Sequence, residues 1–136
     1  AHSERGANTG RACGVTRQLS TKGNDMISEA LNQTEAECAE GRTAPRVSLD
    51  DIKAAIASEY FTTADKAFAG CPIAESLKVL TIYIIVMKNG FSIIGKSAPA
   101  SAENFDEALG KKLAYEDAIR QIWPLMGFAL RDKLAA

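Results

Sequence analysis

Hydrophobic spacing changes character at about Arg46. In VSLDDIKAAIASE, Leu49, Ile52 and Ile56 recur three to four positions apart, the repeat of one helical face. Ser48 precedes this face as an N-cap, and Asp51 three residues on is placed to close a capping box. YFTT, Tyr60–Thr63, is aromatic and β-branched and predicts a short strand. ADKAFAGCPIAES reads as loop, punctuated by Gly70 and Pro72. Two β-rich runs follow, Val79–Met87 and Phe91–Ser97, separated by Asn89 and Gly90. Asn-Gly is favoured where both central residues of a type I′ turn need positive φ, so these two residues predict a two-residue hairpin. Val79–Met87 is apolar on both faces apart from Thr81, which predicts an interior strand. Gly95 in the partner strand predicts a bulge or a closely packed helix.

Pro99 ends the second run, and Ser101 is placed as the N-cap of a long helix. Phe105, Ala108, Leu109, Tyr115, Ile119, Ile122 and Trp123 fall in one broad apolar stripe, with Asp106, Asp117 and Gln121 facing away. Pro124 lacks an N–H and clashes with the preceding turn, so the helix is expected to stop or kink near Trp123. LMGFALRDKL then reads as a short final helix. Trp123 is expected to anchor the core as the largest burial at the helix end. The elements predict an α+β fold: a small antiparallel sheet, hairpin plus third strand, packed against the long C-terminal helix, with a short N-terminal and a short final helix.

Residues 1–45 lack this patterning. The first 25 have few aliphatic residues and no period, and Met26 is the first methionine. The expectation is a disordered or non-native tail over 1–45, with the true start at Met26, and a single domain over 46–136.

The totals narrow the chemistry. With 136 residues the chain holds one domain, and a net charge of −1 gives no support for binding nucleic acid or an anionic membrane by bulk charge. Cys13, Cys38 and Cys71 are odd in number and far apart, which argues against a disulfide framework or a zinc site. The single histidine, His2, lies at the N-terminus, far from any framework for a triad. Gly95–Ser97 spells the end of a phosphate loop, but the triplet lies within a strand and lacks the spaced first glycine. No apolar run reaches the ~20 residues of a membrane span. No cofactor, no metal and no enzymatic activity are expected.

The sharpest polar candidates lie on the long helix. Lys112 and Glu116, four apart inside the apolar stripe, predict a structural ion pair at its margin. Lys111, Lys112 and Arg120 could together meet a phosphate, although charges over 46–136 balance. Lys111, Lys112, Glu116 and Arg120 are therefore the candidate interaction surface. Asn89, Gly90, Trp123 and Pro124 are assigned structural roles.

Read together, ASEYFTTAD, MKNGFSIIGKSA and SAENFDEALGKKLAYEDAIRQIWPLMGFALRDKL resemble the small tailed-phage and prophage family named for the gene forty-nine product of phage N4 and the gene sixty-six product of phage Sf6. The resemblance is collinear over 46–136; Met126 departs from it, standing where the family often has an acidic residue. It implies a phage accessory protein in the cytoplasm of an infected or lysogenic bacterium, and it carries over no catalytic residue. Three functions are compatible with it: a non-catalytic protein that binds a host or phage macromolecule, a nucleic-acid or nucleotide binder, and a structural or assembly protein. Partner and oligomeric state are left open.

Overall fold

The computed structural model describes residues 16–18 and 28–136. In chain order the elements are β1 (Thr16–Gln18), α1 (Glu29–Ala39), α2 (Leu49–Ala55), β2 (Ile56–Thr63), α3 (Ala64–Ala67), β3 (Thr81–Met87), β4 (Ser92–Ser97) and α4 (Glu107–Ala135). Short 3₁₀ turns at Glu75–Val79 and Ala102–Asn104 lead into β3 and α4. The strands form one antiparallel sheet in the order β1-β2-β3-β4, and α4 lies across β3 and β4. The α+β class follows, with β3 in the interior as its unbroken apolar run implies.

Register decides which side chains meet the helix. Phe61, Tyr83 and Gly95 lie in one row across β2, β3 and β4, and Glu59, Ile85 and Ile93 in the next. This face is buried under α4, which contributes Ala114, Tyr115, Ala118, Ile119 and Ile122. The opposite face carries Tyr60, Ile84 and Ile94 in one row, with Ile94 58% exposed. Gly95 is the point of closest approach: a Cβ there would sit 2.0 Å from the Ala114 carbonyl oxygen and 2.7 Å from the Ala118 nitrogen. Here the expected close helix packing is what the glycine serves.

α2 is capped as its sequence predicts. The Asp51 amide donates to Ser48 Oγ (3.1 Å), and the Ser48 amide donates back to Asp51 Oδ2 (2.8 Å). The helix ends earlier than the apolar spacing implies. Ile56 takes extended backbone and opens β2, so this β-branched residue serves the sheet and not the face of Leu49 and Ile52. β2 thereby runs well upstream of the Tyr60–Thr63 strand expected.

The hairpin turn also differs from expectation. Within the turn only Gly90 has positive φ (87°), and Asn89 does not. The Gly90 amide donates to the Met87 carbonyl (2.9 Å) and the Met87 amide to that of Phe91 (2.8 Å). Lys88 and Asn89 thus form a type I turn, with Gly90 as the left-handed bulge residue after it. Asn89 contributes through its side chain, which accepts from the Phe91 amide at 3.0 Å.

Three expectations for the C-terminal half are overturned. α4 is one helix of 29 residues that passes through Pro124, so no separate final helix exists. Pro124 is exposed, and the bond it forfeits, from its nitrogen to the Arg120 carbonyl, lies on the water side where hydration can replace it. Its N-cap is Asp106, which accepts from the Leu109 amide (2.9 Å), and not Ser101. Asp117 and Gln121 do not simply face away: Asp117 accepts from the Lys96 amide (3.0 Å), and Gln121 donates to the Ile94 carbonyl (2.9 Å). Helix side chains thus satisfy the free edge of β4, a place where an open strand would invite pairing.

Order begins before the boundary expected at 46. α1 starts from the Ser28 cap, and Leu31 is buried in the main core. Glu35 pairs with Arg46 at 2.7 Å, and its other oxygen accepts from the Leu49 amide (3.2 Å) at the start of α2. One apolar anchor is a weak sequence signal, yet it is enough when a carboxylate ties the helix to its neighbour. β1 falls within the expected tail as well; the start at Met26 and the remainder of 1–27 lie outside the described residues.

Candidate functional site

The polar residues singled out on α4 do not form one surface. Successive helical residues are ~100° apart, and Lys111, Lys112 and Arg120 consequently point in three directions. Lys111 turns inward, its Nζ 4.0 Å from the centre of the Phe61 ring on β2. Burial lowers its pKa, while Glu59 and Glu107 act in the opposite sense. Lys112 is exposed. Glu116 is buried, and its ion pair is with Arg120 at 3.7 Å, not with Lys112. The expected Lys112–Glu116 pair and the shared basic face are both absent from this arrangement.

Lys111 instead belongs to a buried group that the sequence did not disclose. Glu59 and Phe61 of β2 and Tyr83 of β3 face α4, which sets Tyr115 against them. Phe61 and Tyr83 stack with ring centres 6.2 Å apart, and Tyr83 meets Tyr115 edge-on at 5.2 Å. Burial raises both tyrosine pKa values, and the Glu59 carboxylate raises them further. Both phenols are therefore neutral in any physiological range. The arrangement is a polar–aromatic group packed between β2, β3 and α4. The strand expected at Tyr60–Thr63 left Glu59 outside the sheet, and only the tertiary register brings Glu59 and Phe61 to Lys111.

The accessible features lie further along α4. Ile122 is its last buried residue, and the helix then continues to Ala135. Trp123 is half-buried; its indole N–H donates to the Val47 carbonyl (3.1 Å), which fixes the ring against the α1–α2 connection. It packs against the core but is only partly buried, while the fully buried large side chains are the isoleucines Ile52, Ile85, Ile119 and Ile122. On this part of the helix Leu125, Phe128 and Leu134 are exposed, Phe128 by 69%.

One flank of this segment and the end of the hairpin enclose a groove of about 210 Å³. Met87, Phe91, Ile93, Ile122, Leu125 and Met126 supply most of its wall, and no charged side chain lines it. Phe91 stands exposed at the hairpin. Two methionines give the wall a pliable surface that can adjust to different apolar shapes. The groove was not legible as a site in the sequence, since its residues were read as parts of the hairpin, the long helix and a separate final helix.

Residues 47–134 match the model of the phage protein (N4 Gp49/phage Sf6 gene 66) family. The chain belongs to this family. The matched span covers α2 to the last turns of α4, so strands β2–β4, the groove and most of the long helix lie within the family unit, and β1 and α1 precede it. Comparisons with curated proteins and with solved structures find no significant match. Among the described residues of this phage protein, no helix is long and apolar enough to cross a membrane. Nor does any group of three or more His, Cys, Asp or Glu side chains among them stand where it could hold a metal ion.

Proposed function

We propose that this phage protein is a non-catalytic accessory protein that acts by binding another protein, a host or phage component presenting an amphipathic helix. The observation that carries the reading is the uncharged groove between the hairpin and α4, with Leu125 and Phe128 exposed beside it. A helix laid into an apolar groove recognises it through anchors one turn apart. Large exposed apolar side chains clustered on one surface are costly in water and typically mark such interfaces. Nucleic-acid binding is the weaker reading, because phosphate contacts need cations and none lines the groove.

The test is Phe128→Asp in the full chain, with Phe128→Leu as the conservative control. Phe128 is exposed, so both variants should melt within a few degrees of the parent. The expected result is that Phe128→Asp abolishes co-purification of a specific partner from infected cells and the associated phage phenotype, while Phe128→Leu retains both. Full activity of Phe128→Asp would overturn the reading, as would single-stranded DNA binding unaffected by it.

A further inference from the structure

A second hollow, of about 330 Å³, lies on the other flank of α4 and is independent of the groove. Its helical wall is Trp123, Gly127 and Leu130, one stripe at i, i+4 and i+7; its opposite wall is Cys38, Arg42 and Arg46. The volume falls in the range of small-ligand sites, ~300–1,000 Å³.

Three features give the hollow a definite chemistry. First, Trp123 has its only polar atom committed to the Val47 carbonyl, so what remains for contact is an aromatic surface held in a fixed orientation. Second, a Cβ at Gly127 would meet nothing within 4 Å, so the space above this residue is open and not filled by a neighbour. Third, the mouth carries two guanidinium groups against one paired carboxylate. Arg46 is held by Glu35 at 2.7 Å, while Arg42 Nη1 donates to the Glu37 carbonyl at 2.6 Å. The Glu37 carboxylate accepts from the Gln33 amide at 3.3 Å. The named contacts occupy one terminal nitrogen of each arginine, and a guanidinium offers five N–H donors in a planar fork suited to carboxylate or phosphate.

We propose that this cleft binds a small ligand that joins a flat aromatic ring to an anionic group, a phosphate or a carboxylate. The ring packs on Trp123 and Leu130 over Gly127, and the anion meets Arg42 and Arg46. The ring supplies most of the burial, and the guanidinium pair orients the ligand by its charge.

Trp123 is the only tryptophan of the chain, so its emission reports directly on the cleft. The full chain is titrated with AMP, phenyl phosphate and benzoate, with inorganic phosphate as the ring-free control and phenol as the charge-free control. Cys38 and Cys71 are both exposed thiols, and only Cys38 lines the cleft. The expected result is a saturable change in Trp123 emission with at least one of the three ring-bearing anions, at least tenfold weaker with either control. The same ligand should slow alkylation of Cys38 by iodoacetamide, read by peptide mass spectrometry, and leave Cys71 unaffected. AMP and phenyl phosphate responding without benzoate assigns a phosphate; the converse assigns a carboxylate. Gly127→Leu fills the open space and should abolish the response without lowering the melting temperature. Arg42→Gln, at an exposed residue, should weaken it at least tenfold. If Gly127→Leu proves unstable, Arg42→Gln and the Cys38 protection decide the matter. No saturable response up to millimolar ligand, a response matched by inorganic phosphate, or one unchanged in both variants would overturn the proposal.

Discussion

Gly95 and Gly127 serve opposite ends with the same side chain. At Gly95 the missing Cβ lets α4 rest on β4, and the atoms it would strike are the helix backbone, 2.0 Å and 2.7 Å away. Backbone in the middle of a helix cannot retreat without moving the whole helix. Gly95→Ala is therefore expected to cost at least about 3 kcal/mol, the upper part of the range for overpacking. At Gly127 the Cβ meets nothing, and glycine within a helix costs ~1 kcal/mol relative to alanine. Gly127→Ala should stabilise by up to about that amount. Urea unfolding of the two variants checks both signs; equal effects would mean that α4 is not seated on Gly95. The sequence raised the right alternatives at Gly95, because a glycine inside a strand has few uses. It was silent on Glu59, whose burial beside Tyr83, Tyr115 and Lys111 depends on contacts between distant elements.

One helix start was legible, at Ser48, while the ends set by tertiary contact were not: Ser101 is not the cap of α4, Ile56 leaves α2, and α4 passes through Pro124. The Ser48–Asp51 box can be read off four residues because its chemistry is local. It also makes a prediction about pH. Hydrogen bonds from the Ser48 backbone and side chain hold the Asp51 pKa below its ordinary 3.8. A carboxylate depressed in the folded state stabilises the fold above its unfolded pKa, and that contribution disappears as pH falls through the folded value. Asp51→Asn should accordingly destabilise the protein at pH 7 by about 1 kcal/mol or less, since Asp51 is exposed and solvent screens it. Near pH 2 the variant and the parent should converge; a difference that persists there would assign the effect to packing. Pro124 shows the limit of local rules. Its ring breaks one bond in the ladder, but the packing of Ile119 and Ile122 before it and of Met126 after it keeps the helix on course. Propensity yielded to tertiary contact in the same way at Ile56, which left the helical face for the sheet. At the hairpin the Asn-Gly signal gave the right location with the wrong turn, because a bulge at Gly90 serves the same strands with one positive φ instead of two.

At the scale of the molecule, the point hardest to read was where the folded body begins. α1 is a weakly amphipathic helix whose only buried residues are its cap, Ser28, and Leu31, so no periodicity announces it. Its place in the fold depends on two links to later sequence: Leu31 in the core with Leu49 and Ile52, and Glu35 joined to both Arg46 and the Leu49 amide. The second link is a cap in its own right, since it satisfies an amide at the start of α2 that the helix itself leaves free. The two helices are therefore expected to depend on one another. Leu31→Ala should cost about 2–5 kcal/mol, the usual range for removing a buried leucine, and should release α1 from the body. Hydrogen exchange would show this directly. In the parent, amides over Leu31–Ala39 should be protected above the level of a free peptide. In Leu31→Ala that protection should vanish together, with a smaller loss at the first turn of α2, while β3 and the middle of α4 keep theirs relative to the new global stability. Glu35→Gln should loosen the same segment without removing apolar contact, and it should spare Leu31. If Leu31–Ala39 exchanges at free-peptide rates in the parent, the folded body begins at Arg46 and α1 contributes nothing to it. If Leu31→Ala destabilises every element equally, α1 is part of the global unit and cannot open by itself.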